Sequence, residues 1–135
     1  MIRITALALV AASFALPAAA QSIAIAQAAE QSSGFGFAET VEAAIAEARD
    51  ECIAGGAYPG DCFIVTACEW AGWTADYFVQ HSEGNHWHEA YCGLPTEAAT
   101  KLLEAAICDP ASRPELIECS LVQVWSPEGE PQMEW

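Results

Sequence analysis

All three histidines of the chain lie in one short polar segment that ends at Glu89. Residues two apart on a β-strand point to the same face, so the neutral imidazoles of His86 and His88 could bind one metal ion. His81 or Glu83, across the preceding turn, could complete the coordination of Zn²⁺ or Cu²⁺, which accept imidazole ligands. The segment therefore predicts either a transition-metal site or a polar hairpin that faces solvent.

The six cysteines favour structural disulfides over a metal cluster. No C-x-x-C motif occurs, and the longer gaps between cysteines do not suit zinc. Six cysteines allow many pairings, and an internal repeat favours one set of three among them. It makes Cys52–Cys62 and Cys108–Cys119 equivalent pairs and leaves Cys68–Cys92 as the third.

That repeat appears when the second half of the chain is shifted onto the first. Thr40 then aligns with Thr96, and Cys52 with Cys108. With one further residue of shift, Cys62 aligns with Cys119, and Val65 with Val122. The alignment indicates tandem duplication, with two unrelated helix–strand units as the alternative.

Each half has the pattern of one helix followed by one strand. Thr40 and Thr96 are predicted helix N-caps, and Gly55-Gly56 and Asp109-Pro110 are predicted to end the helices. β-Branched runs follow each helix, and hairpin-like stretches precede each one. The apolar stripes recur at helical spacing, at Val41, Ala44, Ile45, Ala48 and Cys52, and at Ala99, Leu102, Leu103, Ala106 and Ile107.

These elements predict an α+β fold stapled by disulfides. We expect two tandem ββαβ repeats, over residues 21–73 and 74–126, that form one domain. Their strands would make a single antiparallel or mixed sheet, with both helices packed on one face. Residues 127–135 would be a C-terminal tail.

The first twenty residues are predicted to be a signal peptide, Met1–Ala20. Arg3 is followed by an apolar run that Pro17 ends, and three small residues then suit cleavage before Gln21. Cleavage after Ala28 would remove a predicted strand, so we favour the earlier site. A membrane anchor is disfavoured, because spanning a bilayer needs about 20 apolar residues. We expect a periplasmic or secreted protein, in a compartment where disulfides persist.

The charge of the chain excludes several classes of partner. The 135 residues carry 4 Lys and Arg against 19 Asp and Glu, a net charge of -15. Such a chain cannot neutralise the phosphates of nucleic acid or dock on anionic lipid. At 53% hydrophobic residues, it is also too apolar for a disordered acidic chain. A basic protein surface is the partner that the charge favours.

The first half also resembles a family of small exported bacterial domains of unknown function. The resemblance rests on Ile23-Ala-Ile-Ala26, Gly34-Phe-Gly-Phe37, Thr40-x-x-Ala43 with Cys52, and Asp61-Cys62 with Val65 and Cys68. It covers Ser22–Trp73, and more weakly Tyr77–Trp125 as a second copy. It implies the repeated fold and the exported location, and it offers no catalytic residues.

We therefore expect a non-enzymatic interaction module, with an inhibitor-like role as one form of it, and no resident cofactor. The alternative is a Zn²⁺- or Cu²⁺-binding protein. No G-x-S-x-G motif or phosphate-binding loop is present, and Glu47, Asp50 and Glu51 are interpreted as a solvated helix face. A group of aromatic residues is interpreted as sheet core rather than as an exposed contact surface, namely Trp70, Trp73, Tyr77, Phe78 and Trp87.

Overall fold

A computed structural model describes residues 21–133. The predicted signal peptide lies outside the described residues, as do the last two residues of the predicted tail. The described range forms α-helices and β-strands in mixed order, an α+β fold. The elements in chain order are β1 (Ser22–Ala28), β2 (Ser32–Ala38), α1 (Val41–Ala54), β3 (Phe63–Cys68), β4 (Trp73–His81), β5 (His86–Leu94), α2 (Glu97–Ile107) and β6 (Leu116–Trp125).

The strands form two three-stranded antiparallel sheets, and the prediction of one sheet is wrong. In the first sheet β1 lies between β2 and β3, and in the second β4 lies between β5 and β6. The reason is that the first sheet is apolar on both faces. Helices on one face of a single sheet would leave Ile23 and Ile25 in water, whereas they are buried against residues of the second half.

Helix α1 packs closely on one face of the first sheet, because the facing side chains are small. A Cβ added at Gly34 would lie 2.1 Å from the carbonyl oxygen of Ala48. One added at Gly36 would lie 2.0 Å from that of Ala44. The two glycines therefore let the helix backbone approach the strand. The buried residues of this layer are Ala24, Ala26, Ala28, Ala44, Ala48 and Cys52.

The opposite face of the first sheet packs against the second sheet. Successive residues of a strand point to opposite faces, so Phe35 and Phe37 project away from α1. Their ring centroids lie 4.6 and 6.4 Å from that of Trp125 on β6. The layers thus run α1, first sheet, second sheet, α2.

Helix α2 covers the outer face of the second sheet through few buried contacts. Tyr77 on β4 is fully buried, and its hydroxyl donates to the carbonyl oxygen of Thr100, 2.5 Å away. Burial, followed by the charge of Glu104 and the nearby Tyr91, raises the pKa of Tyr77 to about 12. The predicted stripe is wrong at Leu102, which is 74% exposed, and at Ala106, which is also exposed. No helix among residues 21–133 is long and apolar enough to cross a membrane.

Both predicted N-caps are present. The hydroxyl oxygens of Thr40 and Thr96 accept from the backbone N–H groups of Ala43 and Ala99. α1 ends before Gly55, as its pattern predicted, while Cys108 caps the end of α2.

The six cysteines form Cys52–Cys62, Cys68–Cys92 and Cys108–Cys119, the same three pairs that we expected. The first and third pairs tie each helix end to the strand region that follows it. The second joins β3 to β5, and therefore the first sheet to the second.

Carboxylates on α1 cover the outer edge of β2. The backbone N–H of Phe35 donates to Glu51, and that of Phe37 donates to Oε2 of Glu47 at 3.0 Å. Glu47, Asp50 and Glu51 are all exposed, so the predicted solvated helix face is confirmed, and two of its carboxylates also bond the edge of β2. Covering the unpaired N–H groups of an edge strand also blocks its pairing with another chain.

Candidate functional site

A buried carboxylate and an imidazole form the centre of the candidate site. Oδ2 of Asp76, on β4, lies 2.7 Å from Nδ1 of His88, on β5. An ionised carboxylate only accepts hydrogen bonds, so the imidazole N–H is the donor. The side chain of Asp76 is 4% exposed and that of His88 is 33% exposed. The pair therefore presents one imidazole to solvent and keeps its carboxylate inside.

This pair lies in a cavity of about 290 Å³ between the two sheets, which we call the inter-sheet cleft. Its size is close to the lower limit for small-molecule pockets, which suits a small ligand or a single side chain. β2 supplies one wall, and β4, β5 and β6 supply the other. The lining residues are Ser33, Phe35, Asp76, Phe78, His88, Val122, Gln123 and Trp125.

One oxygen of the buried carboxylate has no protein partner. Oδ1 of Asp76 is inaccessible to solvent and makes no hydrogen bond with any described residue. A buried acceptor without a donor costs about 1–3 kcal/mol, and more when it is charged. A ligand that displaces a half-buried lining side chain and donates a hydrogen bond to this oxygen would remove that cost.

Aromatic rings surround the Asp76–His88 pair. Phe35 packs on Trp125 from the opposite sheet, and the ring of Phe78 lies 5.7 Å from that of His88 in an edge-on arrangement. Trp125 is nearly buried, while Phe35 and Phe78 are half-buried and so remain partly open to a ligand. The cleft thus combines an apolar wall with one buried acceptor.

A second cavity, of about 240 Å³, adjoins the first and shares Ser33 and His88 with it. We call it the hairpin cavity, since the turn between β1 and β2 forms one side. Glu30 in that turn has φ of 60°, a conformation that residues other than glycine rarely adopt. Its carboxylate lies 4.0 Å from Nδ1 of His86.

The structure separates the three histidines that the sequence grouped. His86 and His88 are neighbours on one face of β5, with ring centroids 5.6 and 5.7 Å from the ring of Phe78. Nδ1 of His81 instead accepts from the backbone N–H of Glu83, within the turn that follows β4. Among residues 21–133, no three His, Cys, Asp or Glu side chains are placed to hold a metal ion.

An ion pair on the opposite face of β5 holds the strand that carries His88. Glu89 accepts two hydrogen bonds from Arg113 and one from Nε1 of Trp87. Burial alone would raise the pKa of Glu89, but these hydrogen bonds and the charge of Arg113 outweigh it and lower the pKa. Because Glu89 and His88 are adjacent, fixing one orients the other across the sheet.

Sequence reasoning identified His88 but missed most of the cleft. Of the predicted aromatic group, Tyr77 is core and Phe78 lines the cleft, while Trp70 is 57% exposed. One signal for Asp76 was present, because it is the only charged residue in a strand otherwise rich in apolar and aromatic residues. Phe35 and Trp125 carried no such signal, since their meeting depends on how the two sheets pack.

Comparisons with protein-family models, with curated proteins and with solved structures found no match for this chain.

Proposed function

We propose that this protein is an exported, non-enzymatic binding module whose binding site is the inter-sheet cleft. The observation that carries the proposal is Oδ1 of Asp76, a buried acceptor that lies beneath an aromatic wall and has no partner among residues 21–133. Pockets that bind ligands combine apolar lining with a few convergent polar groups, and this cleft has that composition.

The proposed partner is basic. A net charge of -15 attracts cations over distances of about 10 Å at moderate salt and accelerates their encounter with the protein. The three disulfides favour an oxidising compartment, and export through the predicted signal peptide would place the protein there. The apolar cleft would then select among the cations that the charge attracts.

An NMR titration tests this proposal on the mature chain. Short basic peptides with and without an aromatic residue are added at about 0.05 M and about 0.5 M salt. We expect the aromatic peptides to shift the amide signals of Phe35, Asp76 and Trp125, and high salt to weaken binding. Shifts confined to other surfaces, or no shifts at all, would contradict the proposal. Ser33→Phe, which narrows the cleft, should abolish the effect, while Leu102→Ala should leave it unchanged.

Transition-metal binding is the second candidate function. The favouring observation is that Asp76 holds Nδ1 of His88, an arrangement that leaves Nε2 available and often orients metal-binding histidines. His86 lies on the same face and lines the hairpin cavity with it. Titration calorimetry with Zn²⁺ and Cu²⁺ tests this, using a His86→Ala/His88→Ala variant. Binding no tighter than millimolar would refute it, and His81→Ala serves as a control expected to bind as the wild type does.

We also infer that residues 21–73 and 74–126 arose by tandem duplication. In its support, each half places its first strand at the centre of a sheet, flanked by the strand before and the strand after its helix. Disulfide mapping by mass spectrometry tests the repeat and the cleavage site together. A Cys52–Cys108 bond would overturn the pairing on which the repeat rests, and a mature chain beginning at Gln21 would support export.

A further inference from the structure

We propose that the inter-sheet cleft binds a protonated primary amine carried on an aromatic or aliphatic body, with the ammonium group donating to Oδ1 of Asp76 once a half-buried lining side chain moves aside. This inference rests on the proposed binding function and names the ligand chemistry of that site. It extends to a free small amine and to a lysine side chain, since both present the same group.

The hydrogen bonding of the Asp76 carboxylate favours an ammonium ligand. His88 occupies Oδ2 of Asp76 at 2.7 Å, while Oδ1 is buried without a donor. A primary ammonium has three N–H donors, so it can donate to Oδ1 and keep two directions for other acceptors. Hydrogen bonds between ionised partners are roughly twice as strong as neutral ones.

The charge of the cleft favours a cationic ligand. Asp76 is its only carboxylate among the described lining residues, and no Lys or Arg lines it. The titratable group that faces Asp76 is His88 on β5, while the first sheet contributes Ser33 and Phe35 to the opposite wall. A cation entering the cleft therefore meets a buried negative charge with no resident lysine or arginine to compete for it.

The aromatic wall of the cleft favours a cation that carries an apolar body. Phe35, Phe78 and Trp125 present ring surfaces within the same cavity as Asp76. A cation near an aromatic face is attracted by the negative face of the ring, and the apolar body of the ligand is buried against the same rings. An ammonium on an apolar stem can donate to Oδ1 of Asp76 and bury its stem against the aromatic rings at the same time.

Three probes that share a phenethyl body separate charge from hydrogen-bond donation in calorimetric titrations of the mature protein. They are phenethylamine, its neutral analogue 2-phenylethanol, and phenethyltrimethylammonium, which has the charge without an N–H donor. A capped Ala-Lys-Ala peptide is added to distinguish a protein side chain from a free amine. We expect phenethylamine to bind more tightly than either analogue, with a dissociation constant lower by a factor of about ten or more.

Asp76→Asn should remove this preference, because the amide keeps the shape and loses the charge. Asp50→Asn is the matched control: it changes the net charge equally, but at an exposed position on α1. Near-UV circular dichroism of both variants reports whether the aromatic packing is intact. If Asp76→Asn does not fold, the analogue series on the wild type still decides the question.

The outcomes separate this inference from the proposed function. Equal binding of phenethylamine and 2-phenylethanol would overturn the amine inference and leave the cleft as an apolar binding site. The amine inference would also be overturned if Asp50→Asn weakened phenethylamine binding as much as Asp76→Asn does. Attraction by the net charge would then be enough to explain the binding. No binding of any probe, together with no NMR shifts in the peptide titration, would refute both.

Discussion

Arg113 and Glu89 form a two-pronged ion pair that joins the α2–β6 connection to the edge of the second sheet. Nη1 and Nη2 of Arg113 lie 2.9 and 2.7 Å from Oε2 and Oε1 of Glu89. Their side chains are 25% and 19% exposed, so the pair is partly shielded from water and salt. In a chain with few cations, one of them is thus used to hold the strand that carries His88.

Replacing Arg113 with methionine should destabilise the protein by about 2–3 kcal/mol, because Glu89 would keep its burial and lose its charged partner. Urea unfolding followed by tryptophan fluorescence measures this difference. Arg49→Met, at an exposed position on α1, removes the same charge and should change stability by less than about 0.5 kcal/mol. Equal effects of the two variants would show that only net charge matters.

The contribution of Glu89 should depend on pH in a defined direction. Its folded pKa is lowered from 4.5, so its stabilisation is fully present above that value and is lost as pH falls through the folded pKa. The stability difference between wild type and Arg113→Met should therefore shrink as the pH falls below 4.5 and through the lowered pKa of Glu89. Urea unfolding curves across this range provide the test, and a difference that grew with acid would contradict the assignment.

Alanine at Gly34 or Gly36 should destabilise the fold by several kcal/mol. The new Cβ would lie 2.1 or 2.0 Å from backbone carbonyl oxygens of α1, which cannot move without displacing the helix. Overpacking in cores typically costs about 1–3 kcal/mol, and contact with backbone belongs at or above the top of that range. Gly60→Ala is the control, because its Cβ would meet nothing within 4 Å. If Gly60→Ala lowered the melting temperature as much as the other two variants, close packing of α1 on β2 would be disproved.

Removing both carboxylates that cover β2 should lower stability and promote association. In Glu47→Ala/Glu51→Ala, the N–H groups of Phe35 and Phe37 lose their side-chain acceptors, at about 1–3 kcal/mol in total. The exposed edge would also accept a strand from another molecule. Light scattering and urea unfolding measure the two effects. Asp50→Ala, between them on the same helix, should remain monomeric and as stable as the wild type.

Local features of this protein were predictable from the sequence because their causes are local. Thr40 and Thr96 cap helices through bonds to residues three positions away, and Gly55 follows the end of α1. The pairs Cys52–Cys62 and Cys108–Cys119 close short loops, so their spacing within a repeat pointed to them. The apolar stripes and β-branched runs, together with six cysteines, likewise predicted an α+β fold stapled by disulfides.

Only the tertiary structure decided how many sheets form and what lies between them. Period-two patterning says which residues share a face of a strand, but not what covers that face. The first sheet covers its second face with the other sheet, so Phe35 meets Trp125 and both line the cleft with Asp76. Leu102 stays exposed for the same reason, because the packing of α2 on its sheet leaves that side uncovered. The candidate site thus depends on contacts between residues far apart in the chain, which spacing alone cannot specify.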